Sequence, residues 1–323
     1  MFDTYTKMSL SSGVVRPQRL TRGDTIAIVS PGRWMEASQL DCVVGRFRAL
    51  GFSPKIYDQN FSRRDQFAGD EATRVAALHE AFADPNVRAV MLTKSGYGTM
   101  HLLDKLDYAL IARNPKIFVG YSDATALLLS IAKECNIVTF HGPMLYDLRN
   151  AIDKTTWLRF EALVLDGETV TVSKVSDPQV KILRDGTGVG QLIGGNLTLL
   201  THMIGTRSDF DTAGRVLFIE DVDEKLYSID RLLLHLRMAG KFEHLAALVV
   251  GEMHDITDDR IPFGATVDDL VLKHTAGTRF PIVSNVPFGH GERQLTIPIG
   301  VNAQLEVADE LFDFSIVEPS VSQ

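Results

Sequence analysis

The sequence predicts an α/β protein built on a parallel sheet with helices on both faces. Two observations carry this. Short, continuously apolar runs such as Thr25-Ile26-Ala27-Ile28-Val29 and Ile117-Phe118-Val119 recur through the first half. Between them lie segments with apolar residues at helical spacing. Buried strands alternating with amphipathic helices pack as a parallel sheet whose two faces are both covered.

In order, residues 25–30 read as a buried strand ended by Pro31-Gly32. A helix over 36–50 is stopped by Gly51, and 54–57 form a second short strand. Asp70 caps the next helix, whose Val75, Leu78 and Phe82 share one face. Residues 87–93 are a third strand and 117–120 a fourth, followed by a helix pattern over 124–134. Ligands of such sheets bind beyond the carboxyl ends of the strands. Three loops fall there, Ser30-Pro31-Gly32, Lys94-Ser95-Gly96-Tyr97-Gly98 and Tyr121-Ser122-Asp123, and they are expected to converge.

From about Asp166 the rhythm changes to short Thr-, Val-, Gly- and Asp-rich pieces. The expected organisation is a flexible tail over 1–18, an α/β domain over 19–166, a linker over 167–189 and a smaller mixed domain over 190–323. The last has a helix over 196–204, a strand over 216–219, a helix bearing Ile229, Leu232, Leu233 and Leu236, a strand over 246–251, and β-pieces to the end. Gly186, Gly188 and Gly190 match no phosphate-binding glycine pattern and read as a strand.

The 323 residues, 45% hydrophobic and 23% charged, have the composition of an ordinary globular protein long enough for two domains. A formal charge of −8 with no basic cluster argues against nucleic acid as a partner. No apolar run reaches the roughly 18 residues of a membrane span, and the N-terminus lacks a signal-peptide core. Cys42 and Cys135 sit in helix patterns and suggest no disulfide framework, so a reduced, cytoplasmic setting is expected.

Gly120-Tyr121-Ser122-Asp123-Ala124 lies where a strand turns into a helix. A serine between small residues at such a turn is the layout of a nucleophile elbow, since bulk two positions away would clash. The helix that follows offers free N–H groups to an oxyanion. Read locally, Ser122 is equally a helix N-cap. A nucleophilic serine needs a base and an orienting carboxylate. His79, His202 and His235 fall within helices and read as structural or solvated. His141 begins a tight turn, and His290, between Gly289 and Gly291, is expected on an exposed turn with both ring nitrogens free. Glu220-Asp221 ends an apolar strand, where a carboxylate needs a defined partner unless it caps the next helix or faces water. Glu252, His254 and Asp255 form only a loose polar cluster, and no metal-ligand spacing is present.

Together these pieces resemble the LD-carboxypeptidase family of serine peptidases, which also contains the microcin C self-immunity peptidases. The likeness runs from about Leu20 to Glu306. It rests on Gly96-Tyr97-Gly98, Asn114-Pro115-Lys116, the Ser122 turn through Leu127, His141-Gly142-Pro143, Gly194-Gly195-Asn196-Leu197, 218–227 with Ile229-Asp230-Arg231, Gly289-His290-Gly291 and Pro298-Ile299-Gly300. The resemblance implies a doubly wound, flavodoxin-like first domain and a swivelling second domain. It implies a triad of Ser122 as nucleophile, His290 as base and Glu220 as its orienter, assembled across the two domains. The oxyanion donors it implies are the backbone N–H of Asp123 and one from Ser95-Gly96. Where the family usually has Arg-Gly-Gly-Tyr-Gly, this chain has Lys94-Ser95-Gly96-Tyr97-Gly98, and His101 replaces a usual arginine.

The expected activity is hydrolysis of an L,D-peptide bond, releasing D-alanine from a murein tetrapeptide through an acyl-enzyme, with no cofactor or metal and as a homodimer. One alternative substrate is an aminoacyl- or peptidyl-nucleotide, which calls for an aromatic platform. Trp34 and Trp157 are the only tryptophans, both outside the second domain. The other alternative is a binding protein without turnover.

Overall fold

The computed structural model describes residues 13–149 and 154–323. Its first unit runs β1 (Thr25–Val29), α1 (Ala37–Ala49), β2 (Ser53–Ile56), α2 (Glu71–Ala83), β3 (Val87–Leu92), α3 (Tyr108–Arg113), β4 (Ile117–Gly120), α4 (Thr125–Cys135), β5 (Thr139–His141) and α5 (Lys154–Glu161). Its second unit runs β6 (Thr171–Ser173), β7 (Lys181–Arg184), β8 (Gly186–Asn196), α6 (Leu197–Met203), β9 (Val216–Val222), α7 (Leu226–Met238), β10 (Ala247–His254), α8 (Val267–His274), β11 (Ile282–Gly289), β12 (Ile297–Ile299), β13 (Asn302–Ala308) and β14 (Leu311–Ile316).

The first sheet has the order β12-β5-β4-β3-β1-β2, and β2, β1, β3, β4 and β5 are parallel. This is the flavodoxin-like doubly wound order, which reverses between β1 and β3. At that reversal the loops after the two strands open to opposite faces and leave a crevice. All of β4 is buried, as a strand covered on both faces must be. Asp70 does cap α2, accepting the Thr73 N–H at 2.9 Å. The two cysteines fall in α1 and at the end of α4 as expected, and the Cys135 thiol is free.

The second sheet has eight strands in the order β6-β14-β13-β8-β9-β10-β11-β7, with β8 through β11 parallel at its centre. Two expectations about the chain's organisation change. The segment expected as a linker supplies β6, β7 and the start of β8, because its alternating short apolar pieces pair with β14 and β11 and, in β8, with β13. Residues 1–12 of the expected tail lie outside the described residues. The remainder is tied down: Val15 N–H donates to Asn136 O at 2.7 Å, and Ser322 N–H to Pro17 O at 2.9 Å. The units also exchange a strand, since β12 leaves the second unit to pair antiparallel with β5. Among the described residues no helix is long and apolar enough to cross a membrane.

Candidate active site

The three loops do converge. Arg33 N–H donates to Ser95 O at 3.2 Å, and Ser95 Oγ donates to Tyr121 O at 2.9 Å. A Cβ at Gly32 would sit 2.1 Å from Ser95 O, so only glycine permits this approach. From α2, Arg74 reaches over and donates to Pro31 O at 2.7 Å and Gly98 O at 3.0 Å. It is buried, with Phe67 beneath its guanidinium at 4.7 Å. Sequence reasoning missed this clasp, because an arginine in an amphipathic helix ordinarily faces water.

Ser122 has φ = +62°, in the left-handed region that a non-glycine residue occupies only at a cost. Its neighbours hold it there. A Cβ at Gly120 would lie 2.9 Å from Ala124 Cβ and 2.8 Å from Leu92 Cδ1. Thr99 donates its N–H to Asp123 Oδ2 at 2.9 Å and its hydroxyl to Asp123 O at 2.5 Å. Ser122 is half-buried, whereas both neighbours are buried. The local sequence permitted an N-cap reading. However, the caps at the turn make no side-chain hydrogen bond to the helix, and the left-handed backbone is that of an elbow.

Ser95 and Gly96 divide the adjoining turn between them. Gly96 has φ = +74° with the Arg33 side chain 2.6 Å from where a Cβ would be, so glycine is required there. Ser95 is not among the residues of positive φ, and its buried hydroxyl is spent on the elbow carbonyl. Of the other departures in this stretch, Lys94 lies over the Tyr146 ring at 5.5 Å, and His101 meets Tyr97 Oη at 3.3 Å and Glu71 at 3.5 Å.

From the second unit, β9 and β11 bring Glu220 and His290 together. His290 Nδ1 lies 2.7 Å from Glu220 Oε2, and the carboxylate is fully buried. The expectation that His290 has both nitrogens free is therefore corrected: one is bonded and the ring is largely covered. The flanking glycines provide clearance instead. A Cβ at Gly289 would meet Glu220 Oε2 at 2.8 Å, and one at Gly291 would meet Glu252 Oε2 at 1.5 Å. Burial pushes the Glu220 carboxyl up, but the two imidazoles that face it, His141 and the hydrogen-bonded His290, outweigh it and hold the carboxyl below its ordinary range. Burial acts to lower the His290 pKa, and the Glu220 hydrogen bond and charge, with Asp221 and Asp147, raise it on balance.

Adjacent strand residues point to opposite faces, and here that separates two carboxylates. Asp221 turns away to accept from Asn196 Nδ2, Thr198 N–H and Thr198 Oγ1, all at 2.9 Å. It secures the start of α6 rather than the imidazole.

The His290 ring reaches the elbow through Tyr121, whose ring centroid is 4.9 Å away. Tyr121 donates its hydroxyl to Asp147 at 3.0 Å and accepts from Gln294 Nε2 at 3.3 Å. The second unit also touches the elbow helix directly, as Asn196 N–H donates to Thr125 Oγ1 at 3.0 Å. His79, His202 and His235 remain in α2, α6 and α7, and His79 accepts the Asp107 N–H at 2.9 Å. Among the described residues no group of three or more His, Cys, Asp or Glu is arranged to hold a metal ion. Trp157 is buried against Phe47 and Phe160, while Trp34 sits in the loop after β1 with Arg63 stacked on it at 3.9 Å.

A doubly wound domain with a strained serine turn, docked against a second sheet that carries a buried carboxylate–histidine pair, defines a two-domain α/β protein. Comparison with known proteins narrows this. The LD-carboxypeptidase N-terminal domain matches residues 26–142 and the LD-carboxypeptidase C-terminal domain matches 189–305. The chain is 32% identical over 310 residues to a Bacillus subtilis protein named "Probable murein peptide carboxypeptidase", covering 95% of this chain and 96% of that one. It is 29% identical over 286 residues to the microcin C7 self-immunity protein of Escherichia coli, covering 79% and 81% respectively. Among solved structures it is similar to the muramoyltetrapeptide carboxypeptidase of Oxalobacter formigenes, with a TM-score of 0.82, 30% identity, and coverage of 90% of this chain and 98% of that one. The chain belongs to the LD-carboxypeptidase family, a family of peptidases.

Proposed function

We propose that this protein is a cytoplasmic serine carboxypeptidase that hydrolyses an L,D-peptide bond and releases the terminal D-alanine of a murein tetrapeptide during peptidoglycan recycling. The observation that carries the proposal is the buried Glu220–His290 bond of 2.7 Å beside a serine held at φ = +62°. With Nδ1 committed to Glu220, His290 has Nε2 left to take the Ser122 proton. Glu220 then stabilises the imidazolium. Ser122 Oγ attacks the carbonyl of the residue before D-alanine, and the oxyanion is received by the backbone N–H of Asp123 and one from Ser95-Gly96. His290 returns the proton to the departing D-alanine amine, leaving an acyl-enzyme that a water, deprotonated by the same histidine, hydrolyses. None of these steps calls for a metal or an organic cofactor. The working unit is a homodimer.

Likeness to the self-immunity protein supports a second substrate class, the aminoacyl- or peptidyl-nucleotides. Arg63 covers one face of Trp34, and Trp157 is buried, so neither indole offers a ready platform for a base. The murein reading therefore stands first. Incubation with a murein tetrapeptide beside an aminoacyl-sulfamoyl adenosine, with products weighed by mass spectrometry, decides between them. Loss of D-alanine alone is the expected result. Cleavage of the adenosine conjugate alone would transfer the chain to the second class, and cleavage of neither would favour a binding role.

A further inference from the structure

Glu220 meets a histidine at each of its oxygens. Oε2 bonds His290, whereas Oε1 has no hydrogen bond and lies 3.7 Å from Nε2 of His141. His141 is 1% exposed, and neither of its nitrogens has a hydrogen-bond partner. A buried imidazole and a buried carboxylate oxygen, each unsatisfied and facing the other, both bear a desolvation penalty that one contact would relieve. At 3.7 Å the pair is just beyond a hydrogen bond, within reach of a small ring rotation.

The surroundings leave His141 little else to do. It is the last residue of β5, fixed by pairing with Gly120 on one side and Ile297 on the other. The rings of Phe218, Phe288 and Tyr121 stand edge-on around it at 5.3, 6.2 and 6.0 Å. Phe218 and Phe288 supply no acceptor, and the Tyr121 hydroxyl is engaged with Asp147 and Gln294, which leaves the Glu220 oxygen as the polar group that His141 faces.

We propose that His141 is a positioning residue that carries a proton on Nε2 and donates it to Glu220 Oε1, dividing the carboxylate's charge between two imidazoles. This rests on the reading of Glu220 and His290 as the acid–base pair. Two consequences follow from the geometry. The carboxylate is held at both oxygens, which aims Oε2 at His290. The donor on Oε1 also draws charge away from Oε2, limiting how strongly Glu220 favours the protonated His290. A general base must be neutral at its working pH, and a buried carboxylate with no second donor would oppose that. Because His141 belongs to the first unit and the pair to the second, the base is tuned only where the units are docked. The other groups that act on His290 are the charges of Asp221, on the opposite face of β9, and of Asp147 after β5, with the Tyr121 ring packed against it. They are unchanged by substitution at 141, so a shift there is read against a constant background.

The test compares His141→Phe, which keeps a ring without a donor, with His141→Gln, which restores an N–H near Nε2. His141→Phe should lower kcat about 10- to 100-fold, the scale of an unmet hydrogen bond to a charged group. KM should change little, and the acidic limb of kcat/KM should move to higher pH by roughly half a unit or more. His141→Gln should recover most of both. Independently of turnover, ¹⁵N spectra of the parent chain should find a proton on His141 Nε2, and in a Ser122→Ala background His141→Phe should make His290 titrate higher. An unmoved limb with parental kcat, equal losses in the Phe and Gln variants, or a bare Nε2 would each overturn the proposal. If the Phe variant does not fold, the Gln variant and the parent spectra decide. If Ser122→Ala and Glu220→Gln retain turnover, the catalytic reading fails, while the spectra still report whether His141 bonds Glu220.

Discussion

Ser122 combines an unfavourable backbone with a small, half-buried side chain, and that combination makes its substitution informative. Ser122→Ala keeps the elbow's partners and should leave thermal unfolding close to the parent, while turnover falls on the order of 10⁴-fold or more. Activity within tenfold of the parent would remove Ser122 from the mechanism. Glu220→Gln retains shape but not charge. Without the carboxylate His290 loses the partner that raises its pKa, so its neutral form persists to lower pH and the acidic limb should move downward as kcat falls. An identical limb in both proteins would separate the two residues. Asp221→Asn should behave differently, weakening the start of α6 with the limb in place, because its bonds run to Asn196 and Thr198. The pair also governs stability. The Glu220 contribution is present above the ordinary carboxylate pKa and is lost as pH falls through the depressed folded value. The His290 contribution is present below the ordinary imidazole pKa and is lost as pH rises through the raised folded value. Denaturant unfolding of parent and Glu220→Gln across pH should therefore differ most between those limits.

At the scale of elements, α2 makes a contribution that its apolar face does not reveal. The helix is secured by Asp70, which accepts from Thr73 N–H and Oγ1, and it delivers Arg74 to the crevice between the loops after β1 and β3. These two features should separate on mutation. Asp70→Ala removes an exposed cap and should cost about 1 kcal/mol of stability with kcat unchanged. Arg74→Leu strands two buried carbonyls, should cost roughly 1–3 kcal/mol or more, and should also lower kcat by loosening the Ser95-Gly96 turn. A parental kcat in a folded Arg74→Leu variant would show that the turn holds without the clasp. The central strands and most helices were legible because their apolar periodicity is local: α1, α4 and α6 fall within a residue or two of expectation, α2 starts after its expected Asp70 cap, and α7 bears the four apolar residues expected of it. The six-residue α3 and the eight-residue α5 and α8 were not read, two turns leaving periodicity little room, although the seven-residue α6 was found behind its Asn196 cap.

At the scale of the molecule, the two units are interleaved rather than merely linked. Strand β12 completes the first sheet, Asn196 bonds the elbow helix, and the C-terminal Ser322 pairs with Pro17. Units sharing backbone pairing should not unfold separately. Calorimetry and near-ultraviolet dichroism should report one coincident transition, and two resolved steps would mean that the exchanged strand contributes little. The same interleaving explains why a linker was expected where three strands begin. Residues 171–173 and 181–184 pair with strands more than a hundred residues or nearly a hundred residues further along, and nothing local announces those partners.

The sequence by itself determined the α/β class, the order of the long elements, the loops that meet at the crevice and the residues put forward for the site, because these follow from local periodicity, turn chemistry and family likeness. Only the tertiary structure decided between Glu220 and Asp221, enclosed His290, set His141 against the second carboxylate oxygen, and turned the supposed linker into sheet. Each of these depends on which distant strand lies alongside. A side chain's face, partner and burial are set by that neighbour, and strand pairing across the chain leaves little mark on the residues near either member.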